Sequence, residues 1–194
     1  MKNKIKILVV ALVIIPLVMM MVLIIVKGNY TLTNEQIIEK IKTTDNYSEK
    51  INITFKNQIK EYEEDAEIFS NKDGRLRIDF GRDRTKIYKD GHIFVKDNRD
   101  QYEIDENFDI VYPLTFMENI LENDITSIEE GHEDWGNIEY IKVDLKLNES
   151  NNHIDRATVY LDKKNCQPIV TRIYSKNNDE SITIKYLEFR ALQQ

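Results

Sequence analysis

The chain has little cysteine: Cys166 is the only one in 194 residues, so no intramolecular disulfide can stabilise the fold. Stability must therefore come from an ordinary apolar core. No base motif accompanies Cys166, and it lies beside a predicted turn. This favours a half-buried small residue over a nucleophile.

Proline is also scarce, with Pro16, Pro113 and Pro168 the only three. No proline-, glycine- or serine-rich linker divides the chain after its N-terminal region, and no internal repeat is evident. The 167 residues that follow Lys27 are enough for one domain with a substantial core.

Motifs that carry chemistry are missing as well. The sequence has no Gly-x-Ser-x-Gly, no phosphate loop and no dinucleotide fingerprint. His92, His132 and His153 lie far apart and lack the spacing of a histidine zinc site. We therefore expect a protein that is not an enzyme and that needs no metal or cofactor.

Twenty consecutive residues, Ile7 to Val26, carry no charged side chain, and fifteen of them are Ile, Leu or Val. As a helix this run is about 30 Å long, which is enough to cross the hydrocarbon core of a bilayer. Basic residues are concentrated on its N-terminal side, so the N-terminus is expected in the cytoplasm and the rest of the chain outside. The predicted membrane anchor includes Ile7, Leu12, Pro16, Leu17, Leu23 and Val26.

A cleaved signal peptide is the alternative for this segment. Its apolar region would be shorter, about 7–15 residues, and would end in small residues. Val26-Lys27-Gly28 is a poor cleavage site, which favours an uncleaved anchor. The predicted division is a cytoplasmic tail 1–6, an anchor 7–26, a linker 27–32 and an extracytoplasmic domain 33–194.

The extracytoplasmic region is strongly acidic. Four of the 27 basic residues and none of the 34 acidic ones precede residue 28, so the remainder carries 23 basic and 34 acidic residues and a net charge of −11. Such a domain is repelled by nucleic acid and by anionic lipid headgroups. Nucleic-acid binding is excluded on this basis.

The hydrophobic pattern predicts a mainly β (α+β) domain. Thr33 and Gln36 have capping-box spacing before a short amphipathic helix over 34–43. Apolar residues then alternate with polar ones, as in half-buried antiparallel strands, and Asp73-Gly74 and Asp90-Gly91 mark turns. The predicted strands lie near 50–60, 62–70, 75–81, 84–89, 92–97, 100–104, 137–147, 154–162, 168–175 and 180–190.

A second helix is predicted over 113–121, with Pro113 in its first turn and Phe116, Met117, Ile120 and Leu121 on one face. The whole is expected to be a strongly curved antiparallel sheet or half-open barrel of about ten strands, covered by two or three helices. Its interior should be filled by bulky side chains, namely Ile78, Phe80, Ile93, Val95, Phe116, Ile120, Val143 and Val159.

Two polar stretches remain open to interpretation. Residues 129–134 hold enough carboxylates to suggest calcium, although the EF-hand spacing is missing and a charged loop tip explains them as well. The acidic run 61–67 is interpreted as a solvated edge that resists edge-to-edge pairing. Trp135, in the loop after Gly131, is either a core plug or an exposed interface residue, and with His132 it is the candidate partner-binding pair.

The spacing of several segments resembles the LolA-like (lipoprotein-carrier) fold, and most of all the GerS-related germination proteins of spore-forming clostridia. The segments that carry the resemblance are Leu32-Thr33-Asn34-Glu35 before Ile37, Ile38 and Ile41, then Gly74–Asp79, Ile87-Tyr88, Asp90-Gly91, Tyr112-Pro113 before Phe116–Leu121, Leu161-Asp162, Pro168, Tyr186 and Phe189.

This resemblance implies a non-enzymatic binding protein of the membrane or spore envelope. Lipoprotein carriers hold acyl chains in a concavity, whereas the GerS-related group supports a cortex-modifying amidase by protein contact. The chain departs from both by its uncleaved anchor and its lack of an acylated cysteine, so free shuttling of cargo is not expected. We therefore expect a scaffold for a cell-wall hydrolase, with lipid or lipoprotein binding as the first alternative. An envelope-stress sensor is the second, and the six residues before the anchor count against it.

Overall fold

A computed structural model describes residues 32–57, 59–132 and 138–192 of the chain. The predicted anchor and its residues Ile7, Leu12, Pro16, Leu17, Leu23 and Val26 lie outside them. Among the described residues, no helix has the length and apolar character needed to cross a membrane.

The described residues form eleven strands and a few short helices. In chain order the elements are α1 (Asn34–Lys42), β1 (Tyr47–Lys56), β2 (Glu61–Ser70), β3 (Leu76–Phe80), β4 (Arg84–Lys89), β5 (His92–Asp97), β6 (Asp100–Asp105), two 3-10 helices (Glu106–Phe108 and Tyr112–Thr115), α2 (Met117–Ile120), β7 (Asp124–His132), β8 (Glu139–Lys146), β9 (Arg156–Asp162), β10 (Gln167–Tyr174) and β11 (Glu180–Ala191).

All the strands belong to one antiparallel sheet in the order β6-β5-β4-β3-β2-β1-β11-β10-β9-β8-β7, and the sheet is not closed. The first and last strands pair at its centre, from Tyr47 opposite Ala191 to Phe55 opposite Ile182. The two outermost strands, β6 and β7, are therefore consecutive in the chain. Residues 106–123, which we call the crossing segment, join them from one edge to the other.

The crossing segment and α1 lie on the same side of the sheet, which we call the covered face. Helix α1 buries Ile37, Ile38 and Ile41 and contacts α2, so three turns of helix are stabilised by packing. Inward residues of the central strands, such as Ile53 and Ile184, face each other on this side and are fully buried. The core therefore lies between the covered face and these two segments.

The mainly β, antiparallel architecture predicted from the sequence is confirmed, but the strand count is higher. Strand β7 was not predicted, because a register shift between Ile125 and Ser127 places Ile125 opposite Leu145 and Ile128 opposite Val143. These two isoleucines share a face although they are three residues apart. The bulge thus hides the period-2 alternation by which strands are recognised.

The second predicted helix is interrupted. Tyr112–Thr115 is a 3-10 helix with Pro113 in its first turn, Phe116 is extended (φ −86°, ψ 132°), and only Met117–Ile120 is α-helical. The predicted apolar face is nevertheless buried, because the side chain of the extended Phe116 points into the core, as do the apolar side chains of the helix that follows.

The turn between β4 and β5 offers a test of the fold. Asp90 and Gly91 both have positive φ (52° and 81°), the combination that a two-residue hairpin requires. Replacing Gly91 by Ala is expected to lower the free energy of unfolding by about 1 kcal/mol, because a Cβ disfavours the left-handed region. Urea denaturation measures this loss. The control Asp90→Asn keeps a residue that tolerates positive φ, and an equal loss in both variants would contradict the explanation.

Candidate functional site

The covered face is filled by the crossing segment. Phe116, Met117, Ile120 and Leu121 are all 3% exposed or less and pack against the sheet. Of the eight residues expected to fill the interior, all but Phe80 are buried. Apolar side chains of the domain itself therefore fill the space between the sheet and the crossing segment.

A half-buried polar cluster fastens α2 to strands β1 and β2. The Glu118 carboxylate accepts hydrogen bonds from the Tyr47 hydroxyl (2.7 Å) and from the Ser70 hydroxyl (2.6 Å). The Tyr47 oxygen in turn accepts a bond from the Met117 backbone N–H (3.4 Å). One carboxylate thus joins the crossing segment to β1 and β2.

A second carboxyl group lies in the same region. Glu49 follows Tyr47 by two residues on β1, is 1% exposed, and its two side-chain oxygens have no hydrogen-bond partner among the described residues. Burial, and then the charge of Glu118, raise the pKa of Glu49 to about 9. Glu49 therefore carries a proton at neutral pH. Burial also raises the pKa of Tyr47 and of Tyr186.

Sequence reasoning did not single out Glu49, although a signal was present. Glu49 shares the alternation of Tyr47, Ile51, Ile53 and Phe55, whose positions point to the core. An acidic residue in such a position marks either a register error or a buried acid. Glu118, whose charge contributes to the raised pKa of Glu49, carries no such signal in the sequence. Its contact with Tyr47 joins residues that are 71 positions apart in the chain.

A second network holds the first half of the crossing segment. Glu64 of β2 binds the Arg84 guanidinium and accepts a hydrogen bond from the Tyr112 hydroxyl (2.6 Å). Burial first, and the hydrogen bond to Glu64 second, raise the pKa of Tyr112. These bonds fix Tyr112, at the start of the second 3-10 helix, to the sheet.

Asp109 provides the next attachment. Its carboxylate is 2.5 Å from the Lys86 ammonium and accepts a hydrogen bond from the Tyr88 hydroxyl (2.7 Å). Burial, followed by the charge of Asp109, raises the pKa of Tyr88. Both networks use their charged groups to hold the crossing segment in place, which is a structural role.

An open groove of about 470 Å³ lies between the crossing segment, the β3–β4 end of the sheet and the end of β8. Its charged lining is mostly acidic and consists of Lys89, Asp90, Glu106, Asp109, Glu122 and Glu149. Such a lining attracts positively charged groups and does not suit an acyl chain.

The predicted partner-binding residues are only partly described. His132 ends β7 opposite Glu139, is exposed, and lines a shallow groove with Glu130 and Lys163. Trp135 lies outside the described residues, so its role as core plug or interface residue stays a prediction.

The calcium hypothesis for residues 129–134 does not fit the part that is described. Glu129 and Glu130 belong to strand β7 and point to opposite faces of the sheet. Glu129 binds Lys142 (3.2 Å), and Glu130 binds Lys163 (2.8 Å) and Asn34 (2.8 Å). The hydrogen bonds from Lys163 and Asn34 lower the pKa of Glu130. Strand geometry therefore separates carboxylates that a calcium loop would bring together.

The acidic run 61–67 forms most of β2. Residues 61–66 pair with β1, while β3 pairs only with residues 67–70. Glu61, Glu63 and Asp65 are exposed on the stretch of β2 that β3 leaves unpaired, as expected of an edge protected by charge. Glu67 pairs with both neighbouring strands, and Glu64 is half-buried and bound to Arg84.

Comparison with known proteins identifies the family. The model of the family described as "Sporulation protein YdcC-like" matches residues 4–194. The chain belongs to the YdcC-like sporulation protein family. No curated protein matches the sequence.

The fold of this YdcC-like protein recurs in solved structures. An uncharacterized conserved protein from Thermus thermophilus is similar, with a TM-score of 0.55 and 9% identity over 82% of this chain and 88% of the other. The LolA superfamily protein NE2245 from Nitrosomonas europaea is also similar, with a TM-score of 0.45 and 9% identity over 84% of this chain and 95% of the other. So is a chain from the structure of the CwlD amidase of Clostridioides difficile in complex with the GerS lipoprotein, with a TM-score of 0.49 and 15% identity over 84% of this chain and 99% of the other. The match to a sporulation family agrees with the resemblance that the sequence predicted.

The buried acid of this YdcC-like protein predicts a pH-dependent stability. Because the folded pKa of Glu49, about 9, exceeds the ordinary 4.5, the folded state holds a proton that the unfolded state releases. The free energy of unfolding should therefore fall as pH rises from about 5 to about 9. Glu49→Gln removes this dependence and should stabilise the protein at neutral pH by on the order of 2–3 kcal/mol.

Urea denaturation across this pH range tests the prediction. The control Glu39→Gln changes an exposed carboxylate on α1. In this variant the free energy of unfolding should depend on pH as it does in the parent protein. If Glu49→Gln shows the same pH dependence of the free energy of unfolding as the parent, Glu49 is not the group responsible and the explanation is wrong.

Proposed function

We propose that this YdcC-like protein is a non-enzymatic scaffold in sporulation, which is anchored in the cell membrane and binds a cell-wall hydrolase, such as an amidase, outside the cytoplasm. The observation that carries the proposal is the filled covered face, in which Phe116, Met117 and Ile120 are buried on the side where the resemblance to lipoprotein carriers implies a concavity for acyl chains. Partner binding then uses the remaining surface. The class of partner follows from the resemblance to GerS-related proteins.

The half-open barrel predicted from the sequence is part of this proposal. Eleven strands laid flat would place the edge strands about 48 Å apart. The crossing segment has eighteen residues, of which eleven are in 3-10 or α-helical turns. From Asp105 to Asp124 it would reach at most about 48 Å with every part aligned, so a flat sheet would leave it no slack for packing on the covered face. A curved sheet brings the edges within the reach of this segment.

The membrane anchor at residues 7–26 completes the proposal. An anchored domain cannot ferry cargo across an envelope, so the anchor suits a scaffold better than a carrier. The net charge of −11 after residue 27 keeps the domain away from anionic headgroups and leaves its surface available to proteins.

The anchor predicts that the mature protein keeps its N-terminus. Intact mass spectrometry of the membrane-extracted protein should find the apolar segment still present, because a small-residue cleavage site is missing at Val26-Lys27-Gly28. A mature species that starts near Asn29 would show a cleaved signal and a secreted domain.

If the protein is a scaffold, it should bind its protein partner in the absence of lipid. Purification of the anchored protein from its own cells, with protein and lipid mass spectrometry on one eluate, should show a stoichiometric hydrolase. Binding should survive delipidation and weaken with salt, since the domain is highly charged. A stoichiometric lipid, together with loss of the partner on delipidation, would make lipid binding the primary function.

A further inference from the structure

The two edges of the sheet differ in how readily they can accept another strand. Strand β6 pairs with β5 in unbroken register along all six of its residues, from His92 opposite Asp105 to Asp97 opposite Asp100. Strand β7, at the other edge, carries the register shift between Ile125 and Ser127. Bulges of that kind obstruct edge-to-edge pairing, so β6 is the regular edge.

The hairpin geometry shows which backbone groups of β6 point outward. Asp97 and Asp100 close a two-residue turn and form a hydrogen-bonded pair, so bonded and non-bonded pairs alternate from there. The Glu106 N–H donates to the Gly91 carbonyl (3.2 Å), as this alternation requires. Residues 101, 103 and 105 therefore direct their N–H and C=O groups away from β5, where another strand would bind.

Apolar side chains lie exposed on both sides of this edge. Phe94 is 44% exposed and, with Ile87, lies in an open groove of about 570 Å³ on the outer face. Tyr102 is 51% exposed and lies opposite Val95 on the covered face. An added strand would place alternate side chains beside these two aromatic rings, and cross-strand contacts of this type stabilise pairing.

The charge of the edge selects the partner. The ten residues from 97 to 106 hold five acidic side chains and one basic one, Arg99. The groove on the outer face also holds Lys96 and Arg77, of which Arg77 is paired with Asp79 (2.5 Å). Antiparallel pairing of two copies of this chain would bring these acids against each other, which is unfavourable. An extended segment with lysine or arginine between apolar residues has the complementary charge.

We propose that β6 is a docking edge, at which an extended basic segment of a partner protein adds a twelfth strand to the sheet. The segment bonds to the outward backbone groups of residues 101, 103 and 105 and places apolar side chains on Phe94 and Tyr102. This mode of recognition obtains its affinity from main-chain hydrogen bonds and its specificity from the side-chain contacts on either face. The inference rests on the proposed protein-binding function and assigns it a surface.

A proline at position 103 tests the edge. Glu103→Pro removes an outward N–H that β5 does not use, so the sheet should tolerate the change. The probe is a fluorescent hexapeptide, Lys-Val-Val-Lys-Val-Val, which as a strand carries lysine and valine on both faces. It is bound to the full-length protein in detergent and measured by anisotropy. Affinity should fall about tenfold or more, because one hydrogen bond is lost and the ring obstructs pairing.

Two further variants separate the contributions of charge and of apolar contact to peptide binding. Glu103→Gln keeps the backbone and removes one charge, so it should weaken binding only about two- to threefold, and less at high salt. Phe94→Ser should weaken binding about fivefold through the lost apolar contact. Amide exchange in the parent should slow at residues 101, 103 and 105 when the peptide binds.

The outcomes decide between alternatives. An unchanged thermal melt shows that Glu103→Pro is folded. If this folded variant binds the peptide as tightly as the parent does, the proposed docking edge is wrong. It is also wrong if the peptide slows amide exchange on β7 instead of β6. Self-association of the parent that Glu103→Pro abolishes would assign β6 to a second copy and overturn the basic partner. A hydrolase that Glu103→Pro still captures refutes this surface but leaves the scaffold function intact.

Discussion

Pairing of the first strand with the last is the constraint on which the rest of this structure depends. Because β1 and β11 meet at the centre of the sheet, both chain halves meander outward from the same place, and the outermost strands β6 and β7 become consecutive. The chain must then return from one edge to the other. Residues 106–123 do so across the covered face, and their apolar side chains complete the core.

The crossing segment is held by polar groups as well as by apolar packing. Glu64, Asp109 and Glu118 each accept a hydrogen bond from a tyrosine hydroxyl of another part of the fold. Glu49 is different, since its oxygens have no partner among the described residues and it is buried next to another carboxyl. Keeping it neutral lowers the cost of burial and couples stability to pH.

The filled interior is the reason why the proposed function uses the surface and edges of the sheet. The covered face is closed by the domain's own residues, the large groove beside it is acidic, and the regular edge strand β6 is acidic too. The proposed partner with basic, extended segments has the charge that is complementary to these surfaces. The same negative charge separates the domain from anionic lipid and disfavours pairing between copies.

Much of this protein follows from the sequence alone, because it depends on local patterns. Alternating residues such as Ile51 and Ile53, and the Asp90-Gly91 turn, determined the antiparallel strands, and the charge-free run 7–26 determined the expected anchor. Only the tertiary structure decided the central pairing of β1 with β11, the bulged strand β7 and the meeting of Glu49 with Glu118. The physical reason is that these features join residues far apart in the chain, or break the period by which a local pattern is recognised.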